Sequence, residues 1–206
     1  MVMIDLITGF LGSGKTTFLK KYAEYLMDQG LHIGILENDF GAINVDMLML
    51  HELRGDQCEL EMIAGGCDAE SHRRRFRTKL ISMRMCGYDR VLVEPSGIYD
   101  VDEFFDVLRE EPLDQWYEIG NVIAILDARL ENNLSPQADY LLASEAANAG
   151  KVILSHADAA TRKQCEDTVA HLNRALEQLR CDRRIDPEKD ILQTNLTDLT
   201  KEDLES

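Results

Sequence analysis

The run Gly9-Phe10-Leu11-Gly12-Ser13-Gly14-Lys15-Thr16-Thr17 constrains this chain more than any other stretch. It fits G-x-x-x-x-G-K-[ST], whose glycines let the backbone wrap a phosphate chain because no Cβ blocks the approach. Such a loop belongs between a strand and a helix, and both flanks are here. Met1 to Ile7 is a short apolar run suited to a buried strand. From Thr17 onward, Phe18, Leu19, Tyr22 and Leu26 share one helical face. The bare amides at the helix start would point at phosphate oxygens. Lys15 would reach the terminal phosphates as a point charge, and the Thr16 hydroxyl would hold Mg²⁺. Gly12, Ser13, Gly14, Lys15, Thr16 and Thr17 are therefore the expected phosphate-binding set.

Apolar runs at 32–37, 89–94, 121–126 and 151–155 predict further strands, with a short last one at 191–194. Helices fit at roughly 15–29, 71–85, 101–110, 137–148 and 161–180. Cys58 to Ile63 alternates as an edge strand or a hairpin, and Thr200 with Asp203 reads as a capped helix start. Near-continuous apolar strands alternating with helices imply an α/β fold: a mainly parallel central sheet with helices on both faces, in three layers. Ligands then bind at the carboxyl ends of the strands.

Three more motifs lie at such ends. Glu37-Asn38-Asp39-Phe40-Gly41 follows the second strand, and Asp39 would hold a Mg²⁺-bound water or orient the attacking one. The same residues would also serve as an Asx-type turn. Val91-Leu92-Val93-Glu94-Pro95-Ser96-Gly97 ends in an acid, so Glu94 would be carried by its strand to the metal, and Gly97 lets the backbone pass close to the γ-phosphate. Ser155-His156-Ala157-Asp158 ends the fifth strand, where Asp158 would accept hydrogen bonds from a guanine or simply cap a helix. GTP is the expected nucleotide, with ATP kept open.

At 206 residues and 45% hydrophobic content the chain is expected to form one domain, residues 1–206, without a separate C-terminal domain. No apolar run approaches a membrane span and no charged-then-apolar leader opens the chain, so a cytoplasmic location is the default expectation. The net charge of -16 disfavours nonspecific nucleic acid and anionic membrane as partners. Five unevenly spaced cysteines read as thiols rather than a disulfide framework.

With these motifs in this order, the chain resembles the CobW/HypB/UreG family of phosphate-loop GTPases, the CobW branch best. The phosphate loop, Glu37 to Gly41, Glu94 to Gly97 and Leu126-Asp127-Ala128 carry the resemblance. It implies phosphate binding by Gly12 to Thr17, Mg²⁺ at Thr16, and switch roles for Asp39 and Glu94. It also implies GTP hydrolysis coupled to delivery of a metal, or to maturation of a client metalloenzyme or corrinoid protein. The branch usually carries a G-C-x-C-C metal motif, where this chain has Gly66-Cys67-Asp68-Ala69-Glu70. One thiolate with Glu70, Asp68 and His72 would make a weaker, harder site for Zn²⁺ or Co²⁺, or no site at all.

His72-Arg73-Arg74-Arg75-Phe76-Arg77-Thr78-Lys79 stands out in an acidic chain. It reads as a solvated helix face with Phe76 and Leu80 inward, or as a dock for an acidic partner or for a triphosphate across a nucleotide-dependent homodimer. The leading expectation is a Mg²⁺-dependent GTPase that assists metallocentre assembly. Its rivals are a nucleotide-sensing binding module and an ATP-dependent small-molecule kinase, neither delivering metal.

Overall fold

The computed structural model describes residues 1–10, 12–39, 49–64, 69–95, 101–131 and 133–205. Among the described residues there are seven strands: β1 (Val2–Gly9), β2 (Ile33–Asp39), β3 (Cys58–Ala64), β4 (Arg90–Pro95), β5 (Tyr117–Asp127), β6 (Lys151–Ser155) and β7 (Ile191–Gln193). They form one sheet in the order β3-β2-β4-β1-β5-β6-β7, and every pairing between them is parallel. The helices named among the described residues are α1 (Lys15–Asp28), α2 (Ala69–Arg84), α3 (Val101–Leu108), α4 (Leu113–Trp116), α5 (Pro136–Ala147), α6 (Arg162–Gln178) and α7 (Lys201–Glu205). Short 3₁₀ turns occupy His51–Leu53 and Leu196–Asp198.

The strand order explains which face each helix covers. The crossover from β1 to β2 runs one way along the sheet; those from β3 to β4, β4 to β5, β5 to β6 and β6 to β7 run the other way. Parallel crossovers are right-handed, so opposite directions place their helices on opposite faces. Accordingly Phe18, Leu19, Tyr22 and Leu26 of α1 pack one face with Ile7, Ile35 and Ile125. Phe76 and Leu80 of α2, Phe104 of α3, Leu142 of α5 and Leu172 of α6 pack the other with Leu6, Val93 and Leu126. Each fully buried side chain of this size contributes about 1.5–3 kcal/mol. The three-layer expectation holds.

A buried carboxylate pins the central strand. Asp5 is fully buried where the β1–β5 register shifts between Ile4 and Leu6. It accepts from Arg90 Nε at 2.6 Å and Nη2 at 3.0 Å, from the Tyr22 hydroxyl at 3.0 Å and from the Asn121 amide at 2.7 Å. One side chain thus ties β1 to β4, β5 and α1. A buried charge so fully partnered is tolerated; stripping one partner from such a pair costs about 3–5 kcal/mol.

Several elements differ from the sequence expectation in detail. β5 begins at Tyr117 rather than 121, because Tyr117 to Ile119 already pair with β1 before the register shift and pairing resumes at Val122. The short α4 before it has too few residues to show a period. Among the described residues Cys58–Ala64 is an edge strand, paired in parallel with β2 rather than in a hairpin. α6 starts after Thr161, which forms a capping box with Gln164, so Asp158 is not its cap. Thr200 and Asp203 do cap α7 reciprocally. Among the described residues no helix is long and apolar enough to cross a membrane.

Candidate phosphate-binding site

β1 delivers the glycine-rich loop to the carboxyl edge of the sheet, and the loop opens directly into α1. The residue before α1 is Gly14, in the left-handed region at φ 95°, and no side chain caps the helix. The first turn of α1 contains no acidic residue. Its orphan amides and the positive end of its dipole therefore remain available for an anion. The Ser13 hydroxyl is buried and finds no hydrogen-bond partner among the described residues, which suits a loop shaped around an absent ligand.

Gly9 is demanded by contact as well as by conformation. Its φ is 142°, and a Cβ placed on it would lie 2.1 Å from the Ile125 carbonyl oxygen on β5. Gly9→Ala is expected to lower unfolding free energy in urea by roughly 2–4 kcal/mol, since backbone must move. An unchanged denaturation midpoint would show that the loop and β5 are not packed this tightly.

Lys15 and Thr16 are both buried. Lys15 Nζ donates to the carbonyls of Gly9 at 2.9 Å and Phe10 at 3.2 Å, so its charge is held over the loop. Thr16 Oγ1 donates to Glu94 Oε1 at 2.9 Å, joining the start of α1 to the end of β4. Adjacency of β1 and β4 brings these distant residues together. Glu37, quoted only as part of a motif in the sequence, lies beside Glu94 in register on β2, and both are buried.

Of the other expected residues, Gly12 is exposed, Thr17 is half-buried, and Asp158 is exposed in the turn after β6. Asp39 ends β2, but its side chain, like Gly97, Cys67 and Asp68, lies outside the described residues. Glu70 is exposed at the start of α2, whereas His72 is fully buried with Nδ1 3.3 Å from Glu103 Oε1 of α3. Two residues apart on a helix they face different ways, and the structure does not bring them together. Among the described residues no group of three His, Cys, Asp or Glu could hold a metal ion.

Asp127, at the end of β5, receives Arg129 Nε at 3.1 Å and Nη2 at 3.0 Å, and lies 3.2 Å from His156 Nδ1. Burial opposes ionisation of Asp127, but Arg129 and His156 outweigh it and hold the carboxyl below its ordinary range. His156 has φ 53°, the left-handed turn that ends β6.

Sequence reasoning also missed Glu145 on α5. It is almost fully buried, and neither carboxylate oxygen finds a hydrogen-bond partner among the described residues. Burial pushes its carboxyl up to about 8, against the pull of the Lys15 charge. In sequence it is one acid in an alanine-rich helix, and only packing makes it unusual.

The fold and this site define a phosphate-loop nucleotide-binding domain. The chain belongs to the family described as CobW/HypB/UreG, nucleotide-binding domain, whose model matches residues 3–185. It is 28% identical over 185 residues to the zinc chaperone YjiA of Escherichia coli strain K12, covering 84% of this chain and 55% of YjiA. It is 31% identical over 131 residues to the zinc chaperone YeiR of the same organism, covering 63% of this chain and 39% of YeiR. The chain thus spans about half the length of the curated relatives it matches. Its fold is like that of the hydrogenase maturation factor HypB from Archaeoglobus fulgidus, with a TM-score of 0.56 and 14% identity over 95% of this chain and 82% of HypB. It is also like an LAO/AO transport system kinase, with a TM-score of 0.59 and 18% identity over 99% of this chain and 56% of that one.

Proposed function

We propose that this chain is a Mg²⁺-dependent GTPase that assists metallocentre assembly, with zinc as its cargo. The observation that carries the hydrolase reading is the Thr16–Glu94 hydrogen bond of 2.9 Å beneath an uncapped helix start. Thr16 and Glu94 are hard oxygen donors that fit Mg²⁺, with Asp39 as a further ligand. Bound there, Mg²⁺ would neutralise charge on the β- and γ-phosphates. Lys15 would exchange the Gly9 and Phe10 carbonyls for phosphate oxygens, while Gly12 to Thr17 present their amides. Gly97 would let the backbone approach the γ-phosphate, and Asp39 or Glu94 would orient the attacking water. Catalysis would then be mainly electrostatic.

Asp158 would read the guanine edge, and His156, held by Asp127, would lie along the base. Support for zinc comes from the relatives, which are named zinc chaperones. The cargo would bind around Cys67, between β3 and α2, with exposed Glu70 as a second donor; His72 would need to leave Glu103 to join them. A client metalloenzyme or corrinoid protein would receive the metal, and nucleotide would control a homodimer. The function is exercised in the cytoplasm on this reading.

Calorimetric titration with Mg²⁺·GTP and Mg²⁺·ATP, each with and without Zn²⁺ or Co²⁺, tests the proposal. GTP is expected to bind more tightly, with an affinity that changes when Zn²⁺ is present. ATP preference, or an affinity indifferent to metal, would remove metal delivery and leave a nucleotide-driven module or a kinase.

A further inference from the structure

Asp127 organises the carboxyl edge of the sheet beyond the phosphate loop. Gly9, where the loop begins, pairs with Ile125 on β5, and two residues further Asp127 pairs with Ser155 at the end of β6. Neighbouring strands lie about 4.8 Å apart, so the turn after β6 stands roughly 10 Å from the end of β1. A nucleotide with its phosphates in the loop would carry its base toward Asp127 and this turn.

The Asp127 carboxylate is held by groups from two strand ends. Arg129 donates to it from its main-chain nitrogen at 2.8 Å, as well as through Nε and Nη2. That fork leaves Nη1 outside it, with N–H donors of its own. The second partner is His156, whose Nδ1 lies 3.2 Å from Asp127 Oδ2 and 3.2 Å from Ser155 Oγ. The Ser155 hydroxyl donates to the Leu126 carbonyl at 3.1 Å, so both oxygens beside Nδ1 are acceptors. The hydrogen-bond network therefore assigns the proton to Nδ1, and Asp127 fixes the imidazole as well as the guanidinium. Arg129 is exposed, and Asp158 in the turn after β6 lies within electrostatic reach of it. Because the Arg129 fork is taken by Asp127, it does not close on Asp158.

A fixed donor beside an acceptor matches one purine edge. Guanine presents O6 as an acceptor, then N1–H and the N2 amine as donors; adenine presents an N6 amine where guanine has O6. A guanidinium placed for O6 would meet a donor in adenine and lose its partner, which is how a site built to hydrogen-bond one ligand rejects another.

We propose that Arg129 is a specificity-determining residue of the base subsite, donating from Nη1 to O6 of guanine while Asp158 accepts from N1–H and the N2 amine, and that Asp127 is the positioning residue that aims it. The inference rests on the reading of the chain as a GTP-binding protein. It adds two residues, Asp127 and Arg129, to the base contacts of His156 and Asp158.

Calorimetric titration of the parent and of Arg129→Met with the Mg²⁺ complexes of GTP, 6-thio-GTP, ITP and ATP tests it. 6-Thio-GTP keeps N1–H and the N2 amine and replaces O6 with sulfur, a weaker acceptor; ITP keeps O6 and lacks the N2 amine. Arg129→Met is expected to weaken GTP and ITP at least about tenfold and 6-thio-GTP about threefold or less. Asp127→Asn is expected to give the same pattern with a smaller loss, since the amide keeps one acceptor oxygen. A merely structural role for either residue would lower all four affinities together. Melting temperatures verify that the variants fold. Equal losses for GTP and 6-thio-GTP in a folded Arg129→Met protein, or an unchanged GTP affinity, would overturn the proposal and leave the GTP reading standing. A parent protein that prefers ATP, or that binds none of the four, would overturn both.

Discussion

Lys15→Ala is expected to lower GTP turnover at least about a hundredfold, the loss typical of removing one preorganised donor from developing negative charge. Lys15 is buried at the loop, and its ammonium is held by two main-chain carbonyls rather than by a carboxylate. Carbonyls are weaker competitors than phosphate oxygens for a full positive charge, so the ligand can take it. Phosphate release at saturating Mg²⁺·GTP measures the effect, with thermal melting to show that the variant folds. Turnover near the parent's in a folded variant would remove Lys15 from the phosphates and the hydrolase reading with it.

The second large effect concerns stability. Glu145 carries a carboxyl pushed by burial from an ordinary 4.5 up to about 8. Between those values the folded chain holds a proton that the unfolded chain has lost, so this group's contribution is greatest below about pH 4.5 and falls as pH rises toward 8. The slope is about 1.4 kcal/mol per pH unit. Glu145→Gln keeps the shape and removes the titration. Urea unfolding is expected to show variant and parent close together near pH 5, and the variant ahead by roughly 3 kcal/mol near pH 8. Other titrating groups cancel in this difference. A gap independent of pH would mean that Glu145 does not hold a proton in the folded core.

The same low-dielectric surroundings that favour the protonated carboxyl also strengthen its coupling to Lys15 when it ionises. Raising pH would then change the environment of the phosphate loop as well as global stability, and the two effects separate in the Lys15→Ala background.

Much of the architecture was legible because each signal was local. The strand–loop–helix around Gly9 to Thr17 follows from glycine geometry and a change of hydrophobic period from strand to helix. The apolar runs ending at Glu94 and Ser155 mark buried parallel strands, and buried strands have little choice of side chain. What failed was also local in origin. β5 was expected four residues short because the apolar run starts only after Asn121, yet Tyr117 to Ile119 pair with β1 and the Asn121 amide serves Asp5. The alternative reading of Asp158 as a helix cap fell because Thr161 forms a reciprocal pair with Gln164.

By itself the sequence determined the class of fold and the place of the glycine-rich loop between β1 and α1, because both rest on residues that are neighbours in the chain. Tertiary structure alone decided the rest. Strand order set Thr16 against Glu94 and Glu37 beside it, across separations no local pattern records. Packing tied Arg73 and Arg77 of the arginine run to Glu110, just beyond α3. Burial turned Glu145 from an unremarkable helical acid into a proton-holding group. Each of these depends on which surfaces exclude water, and that is fixed only when the helices close over the sheet.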